Sequence, residues 1–206
     1  MDRRPLKTRS QAWVPKLAHF LIRLGLRPND VSVLSIGFAG LSGAAFAYAP
    51  QHGSLLFLAA LCIQLRLGCN LLDGVMAVEG GLKSKTGDLF NDVPDRIADA
   101  AILVGAGYGA GQPTIGWLTA LFAIMTAYIR LLGGALGLAQ DFCGPLAKQH
   151  RMFWMTVGAL GGGIESLFAS GPYPASLQLV LVWVMLGSAF TCVRRLRRIA
   201  SQLEAR

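Results

Sequence analysis

Long apolar runs, separated by short polar or glycine- and proline-containing breaks, fill the sequence between residues 31 and 194. A helix needs about 20 apolar residues to cross the hydrocarbon core of a bilayer. Six runs have about this length and predict transmembrane helices at roughly 31–50, 54–78, 88–110, 114–139, 152–171 and 175–194. The predicted fold is therefore all-α: one integral membrane domain over residues 1–206, built as a six-helix transmembrane bundle.

Residues 11–27 show a different pattern, because apolar residues recur at helical spacing while charged residues lie elsewhere on the helical wheel. The segment is too short and too charged to span a bilayer. It predicts an N-terminal amphipathic helix that lies in the membrane interface. Trp13 favours this interpretation over an ordinary basic flank, since tryptophan is enriched at the headgroup level.

The composition agrees with a membrane protein. Hydrophobic residues make up 53% of the chain and charged residues 15%, whereas a soluble domain has about 25% charged residues. The net charge of +8 is best explained by attraction to anionic membrane lipids, and the apolar composition argues against nucleic acid as a partner. The four cysteines show no C-x-x-C spacing, so we expect free thiols.

The basic residues predict the orientation. Of the 19 lysines and arginines, 16 lie at the two termini or in the two longer breaks at 80–87 and 140–151, and the three tight breaks have none. The positive-inside rule then places both termini and both longer loops in the cytoplasm, with the protein in the inner or plasma membrane of the cell. Residues 195–206 are predicted to be a basic cytoplasmic tail that binds anionic lipid.

Acidic residues concentrate between residues 70 and 99, although the flanking sequence is almost wholly apolar. Helical spacing places two sets of residues on one face each: Arg66, Asn70, Asp73 and Ala77 on the second span, and Asp88, Asn91, Asp95 and Asp99 on the third. The glycine-containing break between the spans lets both faces line one cleft. Facing carboxylates repel unless a cation lies between them, and oxygen ligands suit Mg²⁺ or Mn²⁺.

This stretch resembles the signature of the CDP-alcohol phosphotransferases (CDP-alcohol phosphatidyltransferases), membrane enzymes of phospholipid synthesis. The signature reads Asp, two residues, Asp-Gly, two residues, Ala-Arg, eight residues, Gly, three residues, Asp, three residues, Asp. The chain matches it at Asp73, Gly74, Ala77, Gly87 and Asp95. It departs from it at Asn70, Val78 and Asn91, where the signature has Asp, Arg and Asp.

The resemblance implies transfer of a phosphatidyl group from a CDP-linked lipid, such as CDP-diacylglycerol, to an alcohol, with release of CMP. It assigns the metal site to Asp73, Asn70, Asn91 and Asp95, and the role of general base to Asp95. The two asparagines remove two negative charges relative to the signature. We therefore expect weaker metal binding, with one Mg²⁺ or Mn²⁺ where relatives hold two, unless Asp92 or Asp99 compensates.

The resemblance also implies two binding pockets and a homodimer. The cytidine nucleotide is expected at Gly74, Ala77, Ser84 and Gly87. Arg130, Lys148 and Arg151 are expected to converge beside the acids and to bind an anion, either a lipid phosphate or a phosphate on the acceptor alcohol. The membrane lipids themselves are the remaining expected partners.

Three alternatives stay open at this point. The departures from the signature favour a catalytically silent relative that only binds lipid or nucleotide, whereas the five matched positions favour an enzyme. Charges within spans also mark the ion paths of transporters, but here the acids lie near one face of the membrane. Arg66 has either a functional role or a structural pairing with Asp95 or Asp99 across the two helices.

Overall fold

The structure, a computed structural model, describes residues 13–79, 87–168 and 171–205, with side chains for all of these except Glu79, Gly87, Asp88, Phe90 and Asn91. These residues form seven α-helices and no strand, which confirms the all-α prediction for this part of the chain. The helices are α1 (Trp13–Arg23), α2 (Pro28–Tyr48), α3 (Leu55–Glu79), α4 (Gly87–Gly109), α5 (Pro113–Ala135), α6 (Lys148–Phe168) and α7 (Ala175–Glu204).

Helices α2 to α7 correspond to the six predicted spans, with small differences at most ends. The largest difference is at the C-terminus, where the last span was predicted to end at residue 194 but α7 continues to Glu204. Part of the predicted basic tail is thus a helical extension. Helix α6 also begins earlier than predicted, at Lys148, which brings two basic residues of the preceding break onto a helix.

Four helices are long and apolar enough to cross a membrane, namely Pro28–Tyr48, Leu55–Val78, Pro113–Ala135 and Ala175–Glu204. Large apolar side chains such as Trp117, Leu121 and Phe190 are exposed on the outside of these helices. An apolar outer surface of this kind needs lipid around it, because water would leave it unfavourably solvated. The protein is therefore an integral membrane protein.

The six long helices pack in a closed ring. Helix α2 packs against α3 and α4, α4 against α5, α5 against α7, α7 against α6, and α6 against α3, while α1 packs on α3. The interior is filled mainly by alanine and by larger aliphatic and aromatic side chains, among them Phe46, Ile63, Ile102 and Met155. The ring brings the charged first half of α4 close to α3 and to the start of α6.

Glycine sets the separation of α2 and α4. A Cβ atom on Gly43 would lie 2.5 Å from the carbonyl oxygen of Ala101, and one on Gly105 would overlap the backbone of Gly43. Small residues allow helix backbones to approach closely in lipid, where packing rather than the hydrophobic effect drives association. This contact fixes α4 deep in the bundle and so fixes the position of the acids that precede it.

Candidate functional site

Asp95 lies at the centre of the site, where α3, α4 and α6 meet. Its Oδ1 atom accepts hydrogen bonds from Nδ2 of Asn70 at 2.9 Å and from Nη2 of Arg66 at 3.3 Å. Its Oδ2 atom forms an ion pair with the ammonium group of Lys148, and Nη2 of Arg96 lies 3.8 Å away. Both oxygens of this buried carboxylate therefore have nitrogen partners. The predicted convergence of the polar faces of the two helices is confirmed at this point.

Asp99 forms a second, fully buried ion-pair network one helical turn further along α4. Nη2 of Arg66 lies 2.7 Å from its Oδ1 atom, and Nη2 of Arg151 lies 3.1 Å from its Oδ2 atom. The Arg151 guanidinium also donates to Oγ1 of Thr126 and to the carbonyl oxygen of Leu146, at 3.2 and 2.9 Å. Arg151 was predicted to bind a phosphate, but its side chain is 1% exposed and holds Asp99.

Arg66 links the two networks. Of the two pairings that the sequence left open, with Asp95 or with Asp99, the structure contains both. The Nε and Nη1 atoms of Arg66 are buried and have no hydrogen-bond partner among the described residues. Buried N–H groups are normally paired, because an unpaired one costs about 1–3 kcal/mol.

Asp73 has a different environment. Its Oδ2 atom accepts a short hydrogen bond of 2.6 Å from Oγ of Ser32, which reaches across from α2. Its Oδ1 atom is buried and has no hydrogen-bond partner within the described part of the chain. A buried carboxylate oxygen without a partner is costly, and a hard divalent cation is a suitable partner for it. The donor set at Asp73 therefore fits one Mg²⁺ or Mn²⁺ ion.

The other predicted metal ligands are placed less directly. The amide of Asn70 donates to Asp95, so that this side chain acts here as a hydrogen-bond donor. Asn91 lies on α4, but its side chain is outside the described part. Within that part, no three acidic, histidine or cysteine side chains converge as a metal cluster. Asp92 and Asp99, the two acids expected as compensating ligands, are both held by arginines.

Arg130 and Lys148 lie on one side of the acid cluster. Nη2 of Arg130 lies 3.2 and 3.1 Å from the two carboxylate oxygens of Asp92, and its guanidinium carbon lies 5.2 Å from the ring centroid of Phe142. Asp92 and Asp95 are three positions apart on α4, so the two basic side chains meet the same face of this helix. Both are partly exposed, and each is paired with an acid of this face.

The expected nucleotide residues divide into two groups. Gly74 and Ala77 lie on α3, directly after and one turn after Asp73, and Gly74 is buried. Neither position carries a side chain larger than a methyl group, so neither places a bulky side chain beside the buried carboxylate of Asp73. Gly87 is the first residue of α4, and Ser84 lies outside the described residues.

The sequence reasoning missed Arg195, which it had assigned to a lipid-binding tail. Nε of Arg195 donates to the carbonyl oxygen of Cys143 at 2.9 Å, and Nη1 donates to the carbonyl oxygen of Thr126 at 2.5 Å. The side chain is buried and ties the loop before α6 to α5 and α7. The signal in the sequence was the spacing of Ser188, Thr191 and Arg195, which continues one buried helical stripe.

The same loop carries an acid whose ionisation is fixed by its neighbours. Burial alone raises the pKa of Asp141, but hydrogen bonds from Cys143 and the charges of Arg198 and Arg195 together hold it below its usual range. Nη1 of Arg198 lies 3.3 Å from Oδ2 of Asp141. The extended end of α7 and the loop are therefore joined by buried and half-buried charges at the edge of the site.

The chain has relatives among known proteins and solved structures. No protein-family model matches it. The chain is 28% identical over 198 residues to the phosphatidylinositol phosphate synthase of Streptomyces avermitilis, an alignment that covers 91% of this chain and 79% of the relative.

Two solved structures of the phosphatidylinositol phosphate synthase of Mycobacterium tuberculosis are also similar. The structure with CDP-DAG bound has 26% sequence identity and a TM-score of 0.74, and the match covers 90% of this chain and 92% of that one. The structure in complex with manganese and citrate has 24% identity and a TM-score of 0.75, with 90% and 88% coverage. The similarity thus extends over nearly the full bundle.

Proposed function

We propose that this chain, which belongs to the CDP-alcohol phosphatidyltransferase family, transfers a phosphatidyl group from a CDP-diacylglycerol-like lipid to an alcohol acceptor and releases CMP. The observation that carries the proposal is the position of Asp73 and Asp95. These residues match the family signature and face the same site from α3 and α4, each buried beside nitrogen or hydroxyl donors.

The proposed acceptor is a phosphorylated alcohol, and inositol phosphate is the first choice. The relatives are phosphatidylinositol phosphate synthases. In this chain, Arg130 and Lys148 present two positive charges on one face of α4, where they can bind a phosphate dianion. Arg151 was expected to share this role, but we now assign it to the support of Asp99 because its Nη1 and Nη2 donors are occupied within the protein.

The reaction is a displacement at phosphorus. The acceptor hydroxyl oxygen bonds to the phosphorus atom that carries the diacylglycerol, the bond from that phosphorus to the CMP oxygen breaks, and the hydroxyl proton passes to the carboxylate of Asp95. Asp73 would hold a divalent cation, which neutralises charge on the pyrophosphate. We place the nucleotide at Gly74 and Ala77, next to this residue, because the family signature implies that arrangement.

Asp95 can accept a proton only if one of its oxygens is free. Oδ1 is held by Asn70 and Arg66, both of which are fixed within α3. Oδ2 is held by Lys148, whose side chain is 23% exposed. We propose that the phosphate of the incoming acceptor draws Lys148 away and so frees Oδ2 to take the proton. Binding of the correct acceptor would thereby prepare the base.

The test is release of CMP from CDP-diacylglycerol by the purified protein with Mn²⁺ or Mg²⁺, using inositol phosphate, glycerol phosphate, inositol and serine as acceptors. We expect CMP and a new phospholipid, identified by its mass, with inositol phosphate, and no product with a chelator present. A folded protein that releases no CMP with any acceptor would contradict the proposal.

A second candidate function is a silent relative that binds lipid or nucleotide without turnover. The observation that favours it is the amide of Asn70, which replaces a signature aspartate and donates to Asp95 instead of supplying a charged ligand. This candidate predicts that the protein binds CDP-diacylglycerol and yields no CMP with any of the four acceptors.

We also propose how the whole bundle crosses the membrane, beyond the four helices that are apolar enough to span it. Because α4 and α6 complete the ring formed by the four apolar helices, we propose six transmembrane helices with both termini in the cytoplasm. Helix α1 buries Val14 and Ala18 near α3 and exposes Phe20 and Leu24, as an interfacial helix would. The family resemblance further implies a homodimer, which native mass spectrometry would detect.

A further inference from the structure

We propose that the guanidinium of Arg66 is a permanent cation of this site and takes the place of a second divalent ion, so that each chain binds one divalent cation, at Asp73. This role of Arg66 rests on the proposed function, which defines the reaction that the site performs. It concerns the carboxylate of Asp95, which the family resemblance also assigned to the metal site.

Arg66 is held in place by buried partners. Its side chain is 0% exposed, and the Asp99 carboxylate that holds it is 1% exposed. Asp99 is in turn fixed by Arg151, which is itself 1% exposed and bonded to Thr126 and Leu146. Removing one member of such a buried network leaves an uncompensated charge, which is strongly destabilising. A metal ion that approached Asp95 would meet a resident positive charge.

The carboxylates of Asp95 and Asp73 differ in their hydrogen-bond partners. Oδ1 of Asp95 accepts hydrogen bonds from Arg66 and from the amide of Asn70, which also comes from α3. Oδ1 of Asp73, in contrast, is buried and has no partner among the described residues. The site thus has one carboxylate oxygen suited to a cation and one that protein donors already occupy.

Two neighbouring side chains of α3 match each other in charge. Arg66 and Asn70 are four positions apart on α3 and contact the same oxygen of Asp95. A neutral amide at position 70 can share that oxygen with the guanidinium, because both groups donate. A carboxylate at position 70 would compete with Asp95 for Arg66. The substitution at position 70 and the buried arginine therefore complement one another.

Arg66 leaves part of its hydrogen-bonding capacity unused. Its Nε and Nη1 atoms are buried without a hydrogen-bond partner within the described ranges. A buried pair that served only stability would be replaced by apolar packing at little cost, and often with a gain. The guanidinium of Arg66 nevertheless lies between Asp95 and Asp99 with donors left unbonded. This is expected of a residue whose role is its positive charge.

The experiment counts bound Mn²⁺ per chain by electron paramagnetic resonance and by elemental analysis, on purified protein equilibrated with the free metal. Wild-type protein should bind one Mn²⁺, and Asp73→Asn should bind none. The double variant Arg66→Gln/Asn70→Asp removes the internal cation and adds a carboxylate. It should bind a second Mn²⁺ or bind the first at least about tenfold more tightly.

Arg96→Gln is the matched control, because this arginine also lies beside Asp95 but at 3.8 Å and with a 23% exposed side chain. It should leave the Mn²⁺ count and affinity unchanged. Arg66→Lys, which keeps a charge, should also bind one ion, and this variant remains available if the double variant does not fold. Any one of three results would overturn the inference. These are two Mn²⁺ ions on the wild type, one ion on Asp73→Asn, or a folded double variant whose Mn²⁺ count and affinity do not change. Failure of the proposed function can be distinguished from these results. In that case the protein would release no CMP, while the number of bound Mn²⁺ ions would stay unchanged.

Discussion

The amide nitrogen Nδ2 of Asn70 donates a 2.9 Å hydrogen bond to Oδ1 of Asp95, which joins α3 to α4 in the middle of the site. The family signature has an aspartate at position 70, and two carboxylates at this distance would repel unless a cation lay between them. The asparagine removes that repulsion without an ion. The contact therefore explains how this chain keeps the two helices together although it departs from the signature.

Restoring the aspartate should be tolerated. In Asn70→Asp, the new carboxylate lies four positions from Arg66 on the same helix and can pair with it, so we expect CMP release to persist. In Asn70→Leu, which has a similar size but no donor, Asp95 loses a hydrogen bond to a charged group, and turnover should fall by about tenfold or more. Both variants are compared by CMP release and by thermal unfolding. If the Asn70→Asp protein folds but is inactive, this site is not a variant of the site that the family signature describes.

Ser32 should be needed to position Asp73. Its hydroxyl donates to Oδ2 of Asp73 from a different helix, and the Oγ–Oδ2 distance is 2.6 Å. Ser32→Ala should weaken Mn²⁺ binding by about tenfold, as expected for loss of a hydrogen bond to a charged group. Asp73→Ala should abolish metal-dependent CMP release altogether.

The matched control for this prediction is Ser35→Ala on the same helix. Ser35 is also buried, but its hydroxyl donates to the carbonyl oxygen of Ser32 and does not reach Asp73. This variant should keep wild-type Mn²⁺ affinity. Equal losses in the two variants would mean that the effect comes from α2 as a whole and not from the hydrogen bond to Asp73.

The sequence predicted the elements well because apolar run length is a direct physical requirement of the bilayer. It also predicted that polar residues of α3 and α4 would meet, since helical spacing defines which side chains share a face. Arg66 and Asp95 were recognised as possible partners on this basis alone. Only the pattern within single helices was needed for these conclusions.

The partners supplied by distant helices could not be predicted. Ser32 on α2 reaches Asp73, and Arg151 on α6 reaches Asp99, but nothing in the local pattern indicates either contact. Arg151 was placed in a phosphate pocket because a basic loop beside acids is a reasonable anion site. Its burial depends on how α6 meets α4 and α5, which is a property of the whole ring.

Glu165 should stabilise the structure without affecting catalysis. Its carboxylate accepts hydrogen bonds from the backbone N–H groups of Ala175 and Ser176, at 2.9 and 3.1 Å, and from the hydroxyl of Ser176. It thus caps the N-terminus of α7 from the neighbouring helix. Glu165→Ala should lower the free energy of unfolding by about 1–2 kcal/mol. Denaturation in detergent measures this, and CMP release at low temperature should equal that of the wild type.

The orientation can be tested by cysteine labelling. Gly53 and Gly111 lie in tight breaks, but a Cβ atom there would overlap Ser166 or lie 3.0 Å from Tyr173. Gly171 is a better site because a Cβ atom there meets nothing within 4 Å. In a Cys143→Ser background, Gly171→Cys should react with an impermeant maleimide in intact cells.

The control for orientation is Gln202→Cys, at an exposed position near the end of α7. This cysteine should react only after the cells are lysed, because the C-terminus is proposed to be cytoplasmic. The reverse pattern, with position 202 accessible and position 171 protected, would contradict the proposed topology.

The last prediction concerns the base. Asp95→Asn keeps an oxygen that can accept from Asn70 and Arg66, but its amide can neither take a proton nor pair with Lys148. Arg66 retains Asp99, so the fold should survive, although the melting temperature should fall because Lys148 loses its ion-pair partner. We expect CDP-diacylglycerol binding within about threefold of the wild type and loss of CMP release by a factor of about 10²–10⁴. If Asp95 served only as an ion-pair partner, the variant would lose stability or lipid binding first, and the protein that survived would still turn over. Melting temperature, lipid affinity and CMP release measured on one preparation separate these outcomes, and near-normal turnover would remove Asp95 from the catalytic role.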